Sequence, residues 1–290
     1  MIQYLKNNEI DIKKYDTCIE LSTNSRIYAF SWYLNIVADN WDVLVLNDYE
    51  AVMPLPWRRK YFIKYIYPPA WTQQLGIFSS THISEKLVLD FIKAIPKKFK
   101  KITIQFNSEN KFKHKNVTER VNYVLPLNKS YGEIYKGFNN NRKRDLKKAI
   151  KSKFEIVKNI NKNDFFNFYL KAEKNYKLNS NQLLKLKSLL DFNDKNIQVW
   201  GIYHDKNLIA GLLWLKDDNR ITNLLPVASK SSKDLGLPTS FLNEIIYQFS
   251  GSNLIIDFEG SIIKGIADFY KSFGIEKENY FLYQKSFNVL

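Results

Sequence analysis

One cysteine in 290 residues, Cys18, leaves no room for an internal disulfide. Histidine is nearly as scarce: His82, His114 and His204 stand far apart, so no metal-ligand spacing arises and no structural metal is expected. Cys18 lies in a polar stretch with no histidine nearby, which reads as a bland free thiol and not as a nucleophile. No window approaches the roughly 18 to 20 unbroken apolar residues of a membrane span. The amino-terminal MIQYLKNNEIDIKK also lacks the apolar segment of a secretion signal, so the expected location is the cytoplasm.

What is present is a globular composition. Apolar residues make up 45% of the chain, enough for packed cores, and the length fits about two domains of ordinary size. The net charge is +15. A basic surface concentrates polyanions, which opens a reading as a nucleic-acid or anionic-substrate protein. The competing explanation is a chain rich in Lys, Asn, Ile, Phe and Tyr together, the residues of A/T-rich codons. Distribution separates the two better than the total: from Lys136 to Lys153 there are eight basic residues and one acidic one, Asp145.

The pattern predicts a helix starting at Ser31 and a hairpin from Val43–Leu46 and Ala51–Leu55, with Pro54 at its end. Trp57, Arg58, Arg59 and Lys60 follow, then an aromatic stretch broken by Pro68-Pro69. A helix is expected over 84–95 and a half-buried strand over 102–106, where Ile102, Ile104 and Phe106 alternate with polar residues. After a strand at 123–127, Ser130 and Glu133 have capping-box spacing. The domain boundary is therefore placed near residue 128, giving domains 1–128 and 129–290. The basic tract predicts a helix over about 141–151, with Leu146 and Ile150 inward and Arg142, Lys143, Arg144, Lys147 and Lys148 mostly outward. That face is either merely solvated or an anion-contacting surface for phosphate groups or RNA. Beyond it the expected order is a strand at 154–157, helices over about 164–176 and 181–190, strands at 197–203, 208–215 and 221–227, a helix over 238–249, a strand from Leu254, a helix around Ile266, and a strand at 280–287.

The stretch LIIDFEGSIIKGIADFYKSFG, residues 254–274, organises the functional reading. A short apolar run ends on Asp257, Glu259 and Ser261, where a strand leaving a sheet offers carboxylates and hydroxyls to a ligand. Helical spacing of Ile266, Phe269 and Phe273 follows, with Gly274 as the stop. Asp257 and Glu259 are candidate proton acceptors, or else structural carboxylates capping the 261–265 loop.

DFEGS followed by FYKSFG resembles the closing part of the Fem-type aminoacyltransferases. Residues 268–275 are similar to the FYEKLGF tract of the GNAT superfamily of N-acyltransferases. That resemblance implies an α+β fold of two tandem GNAT-like domains, each a mixed sheet flanked by helices, the first one degenerate. It also implies that Tyr270 protonates a departing group, against the alternative of a helix residue with its hydroxyl at the surface. PPAWTQQLGIF resembles an amino-terminal segment of Fem-like proteins, which makes Gln73 and Gln74 candidate substrate contacts beside Ser261.

The implied activity is transfer of an acyl or aminoacyl group to a primary amine, of a cell-envelope precursor, a sugar amine or a peptide. GNAT enzymes cradle the pyrophosphate of coenzyme A on backbone amides at a helix start. The matching loop here is ASKSSKDLGLP, residues 228–238, in which Lys233 and Gly236 align but Pro238 replaces the second small residue and has no amide hydrogen. Ser231, Ser232 and the Leu237 amide are the remaining phosphate candidates. Acyl-CoA thus stands as a co-substrate candidate with no tightly bound cofactor, beside aminoacyl-tRNA, which Fem-type enzymes use. A catalytically silent module binding RNA or another polyanion through residues 136–153 is the second reading.

Overall fold

The computed structural model describes residues 1–172, 178–260 and 263–286. In chain order the elements are β1 (Ile2–Leu5), α1 (Ile12–Leu21), α2 (Ser31–Val37), β2 (Asn40–Leu46), β3 (Ala51–Lys60), β4 (Ile63–Ile66), β5 (Phe78–Ser79), α3 (Glu85–Ala94), β6 (Phe99–Phe106), β7 (Val117–Pro126), α4 (Tyr131–Lys136), α5 (Asn140–Ser152), α6 (Lys162–Lys171), α7 (Ser180–Asp191), β8 (Ile197–His204), β9 (Asn207–Lys216), β10 (Arg220–Ala228), α8 (Lys230–Asp234), α9 (Leu237–Phe249), β11 (Ile255–Asp257), α10 (Lys264–Lys271) and β12 (Glu276–Ser286). The fold is mixed α/β, as expected. No helix among the described residues is long and apolar enough to cross a membrane.

Two compact units emerge: Met1–Val121 with the chain from Glu278 onward, and Asn122–Lys277. The division differs from a cut at residue 128. The chain leaves the first unit within β7 and returns to it within β12, because Phe281–Ser286 pair antiparallel with β6. A pairing of that sequence separation carries no local signal.

The first unit orders its strands β1-β2-β3-β4-β6-β12, with β5 on β3. All pairs are antiparallel except β4 with β6, which are joined through α3. Its core gathers Met53, Leu55, Phe91, Phe99, Phe106 and Tyr283. The amino terminus, where no element was expected, forms β1 and α1. Asp11 caps α1 by accepting from the Lys14 amide at 3.1 Å, and Tyr15, Cys18 and Ile19 supply the inward face. Burial pushes the Cys18 thiol up to about 11, which keeps it an unreactive free thiol.

Pro54 does not end its strand, since β3 runs on to Lys60. It and Pro56 sit between the stretch paired with β5 (Ala51 and Val52) and the stretch paired with β4 (Trp57 to Lys60). A strand tolerates proline where one of its edges lacks a ladder partner.

The second unit orders its strands β7-β11-β10-β9-β8, all antiparallel except β10 with β11. Trp200, Trp214, Leu237, Phe241, Ile256, Phe258 and Phe273 lie in its core. The strand expected at 154–157 contracts to a single bridge, Val157 with Gly201, and after the turn at Asn159 (φ 54°) the Ile160 amide again donates to β8, at the Val199 carbonyl, 3.0 Å away. Tyr176, within the expected helix over 164–176, and Phe287, at the end of the expected last strand, lie outside the described residues.

Candidate functional site: a wedge between two parallel strands

β11 is only three residues long, and it pairs with β10 at Arg220, Ile221 and Thr222 alone. β10 then continues for six residues without it. At the point of parting β10 bulges: its pairing with β9 steps from Thr222↔Leu215 to Leu225↔Leu213, three residues against two. The extra residue re-aims the backbone and increases local twist. Pro226, farther along β10, suits a strand with an open edge. The sheet therefore splits into a wedge whose floor is the Arg220–Thr222 ladder.

Asn223 sits at the bulge, nearly fully buried, and its Nδ2 donates to the Tyr270 hydroxyl at 3.1 Å. Tyr270 comes from α10 and is itself buried, its ring 4.9 Å from that of Phe258. The surface placement of this hydroxyl is thereby corrected: Ala267 and Tyr270 form the inward face of α10. Asn223 Oδ1 is buried without a hydrogen-bond partner among the described residues. A buried amide oxygen without a protein partner is met by water, held in strain or open to a ligand. Sequence reasoning passed over Asn223. The signal was there in Pro226, a proline inside an otherwise apolar strand, which marks an edge.

Asp257 ends β11 and is fully engaged. Its Oδ1 accepts from Asn122 Nδ2 and from the Glu259 amide, each at 2.8 Å, and its Oδ2 accepts from Arg220 Nη1 at 2.9 Å. Both members of the Arg220–Asp257 ion pair are buried. The carboxylate thus clamps the wedge floor and holds the backbone of Glu259, which is half-buried at φ 57°. A non-glycine residue in this left-handed region persists only where its surroundings hold it there. Ser261 lies outside the described residues.

The loop expected to receive a pyrophosphate is committed to its own structure. Ser229 Oγ accepts from the Ser232 amide, and the buried Ser232 hydroxyl donates to the Ser229 carbonyl at 2.8 Å. Ser231 Oγ lies 3.0 Å from Ser229 Oγ, while Lys233 is exposed. Gly236 caps α9 at φ 76°, and a Cβ there would stand 2.5 Å from the Asp145 carbonyl oxygen of α5. Leu237 is buried and Pro238 follows. A carbonyl oxygen pressed on the helix start, with no proline amide to donate, opposes a phosphate there. The serine hydroxyls turned inward and Pro238 weigh against the pyrophosphate of coenzyme A at this loop.

In α5 the inward residues are Arg142, Leu146 and Ala149, while Ile150, expected inward, is 77% exposed. The helix is rotated because Arg142 is the residue that ties it down. Arg142 Nη1 donates to Thr239 Oγ1 of α9, Nη2 pairs with Asp145 at 2.6 Å, and the guanidinium lies 4.4 Å from the Phe269 ring centroid. Arg142 is therefore no outward anion contact. Lys143 is half-buried with Nζ on the Lys136 carbonyl at 3.2 Å, whereas Arg144, Lys147 and Lys148 are exposed. Lys148 Nζ reaches the Asp234 carbonyl at 3.4 Å, so the basic face borders the 229–237 loop.

Gln73 and Gln74 belong to the first unit. Gln73 lines a cleft with Pro54, Pro56, Tyr67, Thr72 and Gln105, beside the unpartnered edge of β3. Gln74 is fully buried and donates to Gln73 Oε1 at 2.8 Å.

No protein-family model matches this chain, and no curated protein matches it either. Solved structures do. FemX superposes with a TM-score of 0.70 at 12% identity, covering 96% of each chain. The chain shares the fold of FemX. A tandem GNAT protein from the clavulanic acid biosynthesis pathway aligns with a TM-score of 0.54 at 9% identity over 98% of each chain. L-PGS from Bacillus licheniformis aligns at 0.54 and 10% identity, over 94% of this chain and 91% of that one. Two GNAT-like domains, the architecture that the closing tract implied, are thus the fold.

Proposed function

We propose that the chain is an aminoacyltransferase that moves an aminoacyl group from the ribose ester of a tRNA to a primary amine, with the reacting carbonyl in the wedge between β10 and β11. The observation that carries the reading is the parting of these strands after three paired residues, with the Tyr270 hydroxyl held on Asn223 inside. A buried, aimed hydroxyl can give a proton to the departing oxygen, and the amide oxygen beside it can accept from the incoming amine nitrogen.

In the reaction the amine nitrogen bonds to the ester carbonyl carbon and the carbon–oxygen bond to the ribose breaks. The proton lost by the amine passes to Glu259, directly or through water, and the departing ribose oxygen takes a proton from Tyr270. The Asn223 amide, donating to the phenol oxygen, makes that phenol a better acid. Asp257 has a different part: with its oxygens engaged by Asn122, Arg220 and Glu259, it positions Glu259 and accepts no proton.

The choice of donor is supported by the loop and the helix together. The loop at 229–237 does not suit coenzyme A, and the exposed Arg144, Lys147 and Lys148 beside it suit the phosphates of an RNA end. The resemblance of the closing tract to Fem-type aminoacyltransferases points the same way. Thermal shift against charged tRNA and against acetyl-CoA tests this. Ligand at 100 times its dissociation constant stabilises by about 2.7 kcal/mol, a rise of roughly 5 °C or more. A shift with acetyl-CoA and none with charged tRNA would overturn the donor.

A further inference from the structure

The β3–β4 hairpin closes on two residues, Tyr61 and Phe62, between the paired Lys60 and Ile63. Two-residue hairpin loops favour Asn-Gly or Asp-Gly, because their central residues need positive φ. Here Tyr61 takes φ 52°, a conformation a bulky side chain adopts only at a cost. The two rings are 81% and 88% exposed. Placing aromatics at a turn that would prefer small polar residues, and leaving both in solvent, serves neither the turn nor the core.

The charge around the tip is of one sign. Arg58, Arg59, Lys60 and Lys64 flank it, and the sequence has no acidic residue between Glu50 and Glu85. Arg59 lies 5.4 Å from the Phe62 ring centroid and Lys60 5.8 Å from that of Tyr61. Among the described residues, Arg58 is the one of these four that meets a carboxylate, Asp39, at 3.9 Å. The arrangement has two levels, an apolar point and a cationic collar set back from it by one or two residues, on the order of 5 Å along the strands. That offset matches an interface in which aromatic rings enter the headgroup and acyl boundary, roughly 5–10 Å deep, while cations stay among the phosphates. A single-stranded nucleic acid would instead call for cations along a groove, with the rings between them as stacking platforms.

We propose that the tip formed by Tyr61 and Phe62 with its collar of Arg59, Lys60 and Lys64 docks this protein on an anionic lipid surface. The proposal does not depend on the transferase reading. It is tested by cosedimentation of the full chain with vesicles of phosphatidylcholine alone, and of phosphatidylcholine with about 30% phosphatidylglycerol. Binding to the anionic vesicles only, weakening as salt rises, is expected. Arg59→Gln with Lys60→Gln should weaken it about fivefold per charge removed. Tyr61→Ser with Phe62→Ser should abolish it, with far-ultraviolet circular dichroism unchanged because the rings touch no core.

A Phe62→Cys variant carrying an environment-sensitive dye gives a second readout, since the natural Cys18 is buried. Blue-shifted emission with anionic vesicles is expected. Three outcomes overturn the proposal: vesicle binding untouched by the tip substitutions, a dye response to unfractionated tRNA but not to vesicles, or a response that tracks protein concentration as a self-association would.

Discussion

Replacing Tyr270 with Phe removes one oxygen from the middle of the wedge and separates two roles of that hydroxyl. In stability, the lost group is the acceptor for Asn223 Nδ2, and Asn223 is nearly fully buried with its Oδ1 already unpartnered among the described residues. A buried donor left unsatisfied costs about 1–3 kcal/mol. For a domain of this size the melting temperature should fall by roughly 3–10 °C. In turnover, loss of a general acid lowers the rate about 10²- to 10⁴-fold. The assay is single-turnover transfer of a radiolabelled aminoacyl group from tRNA to an amine, run 20 °C or so below the variant's melting point. Asn223→Ala serves as the control: it removes the same hydrogen bond but keeps the phenol, so it should cost similar stability and a smaller part of the rate. Equal rates for wild type and Tyr270→Phe at that temperature would remove the phenol from the chemistry. A melting point unchanged in both variants would refute the buried hydrogen bond as well.

Three further outcomes follow from the same geometry. Asp257→Asn leaves Arg220 buried against a neutral partner and should cost about 3–5 kcal/mol in urea unfolding, most of it recovered when Arg220→Met is added; a loss below about 1 kcal/mol would contradict the clamp. Gly236→Ala puts a Cβ 2.5 Å from the Asp145 carbonyl at a positive φ and should destabilise by more than the ordinary 1 kcal/mol or so of a glycine at that conformation, measured by thermal melting. Because the Cys18 thiol is raised to about 11, a thiol reagent at pH 8 should label the native protein about a hundredfold more slowly than the unfolded chain. Its ionisation also opposes folding in alkali. With a folded value above the unfolded one near 9, its contribution is intact below pH 9 and is lost between pH 9 and about 11.

Much of this architecture was legible where periodicity and punctuation agree. The Ser130–Glu133 capping box starts α4 as read, and the three strands from 197 to 228 and the helix ending at 249 fall within a residue or so of their expectation, whereas α8 was read as loop. Other features were hidden for physical reasons. Partners of β12 lie more than 150 residues away in β6, and no local propensity encodes that distance. Strand 154–157 had the apolar residues for a strand, yet of these only Val157 bridges to β8, at Gly201. At the site, Tyr270 and Asp257 were visible as residue types in a suggestive tract. Their environments were not: whether a tyrosine on a short helix faces solvent depends on where Asn223 and Phe258 stand, and both come from other elements.

The basic tract shows why charge must be weighed by placement. Its residues look alike in sequence, yet Arg142 is buried between α9 and α10 while Arg144, Lys147 and Lys148 face water. Two kinds of substitution on one helix should therefore behave in opposite ways. If the three exposed residues each neutralise one phosphate, log affinity for tRNA should fall against log salt with a slope of about −2 to −3. Lys147→Gln with Lys148→Gln should flatten that slope by about 1.5 and leave the melting temperature within a degree or so, since solvated charges contribute little to folding. Arg142→Gln should do the reverse. It leaves Asp145 with only the longer contact to Arg144 at 4.0 Å and loosens the Thr239 and Phe269 contacts, so the protein melts earlier while the salt slope stays as in wild type. A slope that Arg142→Gln flattens, or that the double lysine substitution leaves alone, would show that RNA does not lie along this face of α5. The donor would then have to be sought on another surface.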